Sequence, residues 1–232
     1  MILCGGRGSR LGSLTERIPK PLIRINDKTI LEIKLRKYLE LGFRDFVLCI
    51  GYKGSLIEKA VMGYGLDANI VFSDAGENAG MLKRIFHAKD YFADSVIITY
   101  GDTFANIDLK KLLHQHIKRG NEITITVAPI QNPFGLVEYD ENHMVSSFRE
   151  KPVLQYYIGY AVFKRTSMKL VTKEMIEMPN GQGLVAFYKL LIDINKLGAY
   201  YHPGLEVTFN TQEELRVAEE KIMNFYTEGQ IV

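Results

Sequence analysis

Short apolar runs alternate with amphipathic stretches along the first half of this chain, and that rhythm restricts the possible fold more than any other feature. Met1–Cys4, Phe46-Val47-Leu48-Cys49-Ile50, Asn69–Phe72 and Ser95–Thr99 read as strands. Between them, Thr29 to Leu41 reads as a helix: Thr29 caps it, Glu32 completes a capping box and Gly42 ends it. Ser55–Met62, Ala79–Tyr91 and Leu109–Lys118 read as further helices. Strands alternating with helices imply a parallel sheet covered on both faces. The expected class is α/β: a Rossmann-like, mixed but mostly parallel sheet flanked by helices.

Beyond Gly120 the rhythm changes. Glu122–Ala128, Leu136–Tyr139, Val145–Phe148 and Tyr157–Phe163 read as strands with little helix between them. They predict antiparallel or mixed additions to the sheet that form a cleft wall. Helices are expected near Met168–Glu177, Leu184–Leu197 and Thr211–Tyr226. With 232 residues the chain fits a single domain.

A formal net charge of +2 gives no reason to expect nucleic acid or an anionic membrane as partner. No apolar run approaches a membrane span, and glycines follow Met1–Cys4 too soon for a signal peptide. The chain enters a strand at once, so a residue or two are expected in front of it. Cys4 and Cys49 both sit in apolar runs, far from metal-ligand spacing, and read as core thiols in a reducing, cytoplasmic setting.

The most informative segment is Cys4-Gly5-Gly6-Arg7-Gly8-Ser9-Arg10-Leu11, directly after the first strand. Glycines admit positive φ and let backbone N–H groups approach a ligand closely. Such a nest, with Arg10 adding a forked donor, suits a polyphosphate. A dinucleotide fingerprint would need a glycine where Leu11 stands, and the Gly-Lys-Ser/Thr of a P-loop is missing. Pro19-Lys20-Pro21 then holds Lys20 on a stiff backbone, fit to neutralise a phosphate at low ordering cost.

Gly5-Gly6-Arg7-Gly8-Ser9-Arg10-Leu11, Thr15 and Pro19-Lys20-Pro21-Leu22 together resemble the signature of the sugar-nucleotide pyrophosphorylases. The resemblance runs from Met1 to about Leu215. It is closest to the glucose-1-phosphate cytidylyltransferase and heptose-phosphate guanylyltransferase branches, with Gly51-Tyr52-Lys53-Gly54 and Thr99-Tyr100-Gly101-Asp102 most like the cytidylyl branch. It implies the nucleotide-diphospho-sugar transferase fold and a transfer from a nucleoside triphosphate, CTP or GTP before the others, to a phosphorylated small molecule. It also divides the single domain into a nucleotide-binding part, about 1–120, and an acceptor-binding part, about 121–232, and allows a homo-oligomer. A single helix past Asn210 gives no expectation of an added left-handed β-helix domain.

The resemblance makes Leu3, Gly5, Gly6, Gly8, Ser9 and Arg10 nucleotide-binding, and Arg10, Lys20 and Asp102 catalytic. Asp102 ends an apolar strand, and a carboxylate facing a triphosphate requires a cation between them; Mg²⁺ is the expected cofactor. A second metal ligand is implied at Asn210, which serves equally as a helix N-cap. In the loop Asp74–Met81, Gly80 is assigned to the nucleoside, and Glu77 or Asn78 to base or sugar hydroxyls. Gly135, Glu150, Lys151 and Gly159 are assigned to the acceptor. Tyr156-Tyr157-Ile158-Gly159 stands where many members carry an Asn for sugar hydroxyls, which leaves the acceptor open: a hexose or heptose 1-phosphate, a non-sugar phosphomonoester or a phosphonate. A non-catalytic nucleotide-binding homologue is the rival of another class.

Overall fold

The computed structural model describes residues 1–209 and 211–227. Strand β1 (Ile2–Leu3) leads through the glycine-rich segment and short helical turns, α1 (Ser13–Arg17) among them, into a ribbon of β2 (Arg24–Ile25) and β3 (Lys28–Thr29). Then α2 (Ile30–Glu40), β4 (Asp45–Ile50), α3 (Gly54–Met62), β5 (Asn69–Asp74), α4 (Met81–His87) and β6 (Ser95–Tyr100) alternate. After these come β7 (Thr103–Ala105), α5 (Leu109–Arg119), β8 (Ile123–Gln131) and a hairpin of β9 (Leu136–Tyr139) and β10 (Val145–Arg149). The chain continues through β11 (Val153–Lys164), α6 (Lys173–Glu177), α7 (Gln182–Asp193), β12 (Leu197–Tyr201), β13 (Glu206–Thr208) and α8 (Gln212–Thr227).

Seven strands form the central sheet in the order β12-β8-β11-β6-β1-β4-β5. β1 pairs in parallel with β4 and β6, β4 with β5, and β8 with β12. β11 is antiparallel to both β6 and β8, so it alone in this sheet runs against the others. The expected mixed, mostly parallel sheet is what forms.

Side-chain alternation along the strands divides the core between two faces. Leu48, Ile50, Tyr160 and Val162 pack with Leu31 and Leu35 of α2, Ile57 of α3 and Leu112 of α5. Cys49, Ala161 and Phe163 point to the other face, against Leu82 and Ile85 of α4 and Phe187 and Leu191 of α7. A third cluster joins α8, through Leu215, Ala218 and Ile222, to Phe104 of β7, Val207 of β13 and Ile33 of α2.

At the start of α2 the Thr29 hydroxyl accepts from the Glu32 N–H at 3.2 Å, while the Glu32 carboxylate pairs with Arg36 at 2.9 Å. Some expected boundaries move. Between the glycine-rich segment and Pro19 the chain forms α1. The helix expected over Leu184–Leu197 stops at Asp193, because Asn195 turns the chain with φ 57°, and Leu197 opens the edge strand β12. The helix expected over Met168–Glu177 is a 3-10 segment, Arg165–Leu170, then α6. α4 begins at Met81 rather than Ala79, with the Met81 N–H donating to the Asn180 carbonyl.

Candidate active site

β4 and β5 lie on one side of β1, whereas β6 returns to its other side. Such a reversal leaves a crevice beyond the carboxyl ends of two adjacent parallel strands, the usual ligand position in open α/β sheets. Leu3 and Tyr100 are register partners there, and the Gly101 N–H donates to the Leu3 carbonyl at 3.0 Å. The glycine loop after β1 and the Gly101–Asp102 corner after β6 therefore leave the sheet side by side. Between them opens a cleft of about 680 Å³, lined by the glycine loop, Lys20, Asp102, Glu77–Met81, Arg84 and Pro179–Gly181. That volume is ample for a small-molecule substrate.

The glycines in the loop have different reasons to be glycine. A Cβ on Gly5 would fall 2.2 Å from Arg84 Nη1 and 2.7 Å from the Ile50 carbonyl, so Gly5 is required by packing. Gly8 has φ 63°, the left-handed region that favours glycine. A Cβ on Gly6 would meet nothing within 4 Å, so this backbone faces the cleft. Gly80 also lines the cleft, but its close approach is to protein: a Cβ there would lie 2.6 Å from the Asn180 carbonyl.

Lys20 is 7% exposed. Its Nζ lies 2.7 Å from Asp102 Oδ2, donates also to the Phe209 carbonyl and sits 4.6 Å from the centre of the Phe209 ring. The stiff Pro19-Lys20-Pro21 backbone thus carries its ammonium inward to the strand-end carboxylate. On the rim, Arg7 of the glycine loop pairs with Glu77 at 2.7 Å, and its guanidinium stands over the Tyr52 ring. Cys4 and Cys49 are free and buried, and burial raises the Cys49 thiol to about 12.

Leu3, Gly5, Gly6, Gly8, Ser9, Lys20, Gly80 and Asp102 are brought together at this cleft. The backbone of Arg10 lies in a 3-10 turn, Ser9–Leu11, whereas its side chain and all of Asn210 are outside the described residues. Gly135 packs beside Glu150, a Cβ there falling 3.4 Å from Glu150 Oε2, and Glu150 pairs with Lys151 at 3.8 Å. These three cluster at the β9–β10 hairpin and are not lining residues of the cleft. Gly159 connects to it indirectly: with φ 75° it presses on the ring of Tyr100, which does line the cleft.

Three further contributors were not read from the sequence. Arg84, on a helix that looks amphipathic, is 4% exposed and donates to the carbonyls of Ile50 and Glu77, anchoring the Asp74–Gly80 loop. Pro179-Asn180-Gly181 forms a wall of the cleft beside Gly80; only its turn-forming composition was visible. Tyr100 stacks edge-on against Tyr157, and Tyr157 against Tyr188, so packed phenol rings back this side of the cleft.

The nucleotidyl transferase family model matches residues 1–184. The chain belongs to this family. A probable glucose-1-phosphate cytidylyltransferase of Bacillus subtilis (strain 168) is 30% identical over 93% of this chain and 92% of its own length. A D-glycero-alpha-D-manno-heptose 1-phosphate guanylyltransferase of Campylobacter jejuni is 34% identical over 65% of this chain and 67% of its own. Among solved structures, a putative glucose-1-phosphate thymidylyltransferase from Bacillus anthracis in complex with a sucrose superposes with a TM-score of 0.74, at 16% identity over 95% of this chain and 93% of that one. HddC from Yersinia pseudotuberculosis gives 0.69, at 23% identity over 95% and 97%. The last two likenesses establish the nucleotide-diphospho-sugar transferase fold. No helix among the described residues is long and apolar enough to cross a membrane.

Proposed function

We propose that this nucleotidyltransferase joins a nucleoside triphosphate, CTP or GTP before the others, to a sugar 1-phosphate, giving the nucleoside diphosphate sugar and pyrophosphate. The observation that carries the reading is the Lys20–Asp102 pair, set against the glycine loop where β1 and β6 diverge. The names of the relatives support the substrate class, and the cytidylyl and guanylyl members among them support the choice of base.

An oxygen of the acceptor phosphate attacks the α-phosphorus in line; the new P–O bond forms as the bond to the bridging oxygen breaks, and pyrophosphate leaves. Backbone N–H groups of Gly6, Gly8 and Ser9, with Arg10, bind the triphosphate. Leu3, Gly5 and Gly80 border the nucleoside. Lys20 neutralises charge that develops on the α-phosphate, and positioning plus electrostatics supply most of the acceleration in such chemistry. Gly135, Glu150, Lys151 and Gly159 form the acceptor side in this reading, residues 121–232 its acceptor part and a reducing cytoplasm its setting.

Asp102 fits a magnesium site of the kind completed by substrate phosphates, since one of its oxygens is bonded to Lys20 and the carboxylate is about one-third exposed, facing the cleft. Among the described residues there is no group of three or more His, Cys, Asp or Glu side chains that could hold a metal by itself. Asp102, and Asn210 with its amide oxygen, would hold Mg²⁺, which when bound screens phosphate charge from the carboxylate.

The test is pyrophosphate release with Mg²⁺, each of CTP, GTP, UTP, dTTP and ATP being tried against sugar 1-phosphates, simple phosphomonoesters and phosphonates. Release with CTP or GTP and a sugar 1-phosphate is expected. Release with a non-sugar acceptor alone would assign the tyrosine-lined position to another substrate. Nucleotide binding with no release across the panel would overturn the enzymatic reading.

A further inference from the structure

Beneath the Gly101–Asp102 corner lies a lysine that the proposed chemistry does not use. Lys34 sits on the buried face of α2, between Ile30 and Tyr38 one turn to either side, and is 1% exposed. Its ammonium donates to the Tyr100 carbonyl at 2.6 Å and to the Thr103 carbonyl. Those two groups bracket the corner: Tyr100 is the last residue of β6 and Thr103 the first of β7. The rings of Tyr38, Phe104 and Tyr160 surround the same nitrogen at 5.0–5.9 Å. A hydrogen bond from the Tyr160 hydroxyl to the Thr103 carbonyl, at 3.0 Å, braces the far end of the corner.

Burying an ammonium is costly, and an apolar residue of similar shape usually serves a helix–sheet contact at least as well. Burial drives the Lys34 pKa down to about 7, while the charge of Asp102 pulls it back up. The nitrogen's bonds run to main-chain carbonyls on either side of Asp102 rather than to a carboxylate of its own. From the opposite side, the Gly101 N–H is fixed to Leu3 of β1. The chain between Tyr100 and Thr103 is therefore pinned at both ends from below and tied sideways to the strand that feeds the glycine loop.

We infer that Lys34 is a positioning residue for the reaction: by clamping the carbonyls of Tyr100 and Thr103 it sets where the Asp102 carboxylate points relative to Lys20 and the glycine loop. The inference rests on the proposed role of Asp102. It touches no substrate, and its effect passes through the Asp102 corner.

The experiment compares the wild type with Lys34→Met, which keeps the length and loses the donors, and Lys34→Gln, which keeps two N–H groups. Folding is checked by circular dichroism and a thermal melt. In folded Lys34→Met, kcat is expected to fall about a hundredfold, the effect of an ångström-scale misplacement, with Lys34→Gln in between. KM for the triphosphate is expected to stay within about threefold, because the glycine loop is untouched. Independently of turnover, Mn²⁺ titrated in the presence of the nucleotide and followed by electron paramagnetic resonance should bind about tenfold more weakly to Lys34→Met, as expected where outer partners orient a metal ligand. Wild-type kcat together with wild-type Mn²⁺ affinity in a folded variant would overturn the inference. If Lys34→Met does not fold, Lys34→Gln is judged by the same two readouts. If the wild type itself releases no pyrophosphate, the functional reading fails, and the Mn²⁺ titration still decides whether Lys34 orients Asp102.

Discussion

A methyl group added at Gly6 separates stability from function with opposite signs. The position has no φ in the left-handed region, and a Cβ there meets nothing within 4 Å, so Gly6→Ala introduces neither strain nor overlap into the protein itself. At such a site alanine stabilises by about 0.4–1 kcal/mol, chiefly by reducing the freedom of the unfolded chain. For a domain of this size that raises Tm by about 1–4 °C. The same methyl projects into the cleft where the triphosphate is proposed to lie. An overpacked contact costs about 1–3 kcal/mol, which corresponds to an increase of about 5- to 150-fold in KM for the triphosphate. Scanning fluorimetry and steady-state pyrophosphate release read the two effects on one preparation. Gly5→Ala is the internal contrast, since its Cβ would lie 2.2 Å from Arg84 Nη1 and 2.7 Å from a main-chain oxygen, and it should lower Tm. A Gly6→Ala protein with unchanged kcat/KM would refute the idea that this backbone faces the phosphates; a lowered Tm would refute the open space around it.

Three other perturbations have defined outcomes. Gly80→Ala, whose Cβ would lie 2.6 Å from the Asn180 carbonyl, should push the Pro179–Gly181 wall outward, lowering Tm and raising KM for the triphosphate, as measured in the same two assays. Asp102→Asn keeps an acceptor for Lys20 but removes the charge; circular dichroism should be unchanged while kcat drops by about a hundredfold or more. His116 and His202 are 2% and 6% exposed, and burial holds both below the ordinary 6.5, so the unfolded chain binds the extra protons first. Their contribution to stability is therefore fully present above pH 6.5 and is lost as pH falls from 6.5 through the folded values. The urea midpoint should drop between pH 7 and 5.5, with a shallower drop in His116→Gln; equal midpoints at the two pH values would refute this.

The parallel half of the fold was legible because its signals are local. Thr29, Glu32 and Gly42 mark both ends of α2, and the apolar runs at Phe46–Ile50 and Ser95–Thr99 have the length of buried strands. β12 was not legible: Leu197-Gly198-Ala199-Tyr200-Tyr201 has weak alternation and becomes a strand only because β8 offers it an edge. At the site, the glycine loop, Lys20 and Asp102 could be read from spacing, since one strand end and one stiff Pro-Lys-Pro segment carry them. Arg84 and Lys34 could not. Each is a cation on an ordinary helix, and what distinguishes it is a set of carbonyls contributed by distant segments. Lys34 alone had a trace in the sequence, as a charge in the apolar stripe Ile30-Lys34-Tyr38.

β6 occupies the position in the sheet from which one strand end can serve two substrates. It borders β1, which delivers the glycine loop, on one side and β11, which carries Gly159, on the other. Its last residue, Tyr100, lines the cleft on its inner side and bears Gly159 against its ring on the other, and Asp102 follows two residues later. Attack on an α-phosphate requires nucleotide and acceptor to meet within bonding distance, so their binding surfaces must converge on one corner. A reversed strand such as β11 brings the half of the chain proposed to hold the acceptor to that corner without lengthening any loop. The hydrogen bond donated to the Leu3 carbonyl and those received from Lys34 and Tyr160 then hold the corner in register with both halves. A loop end free to move would instead present its carboxylate to each substrate in a different place.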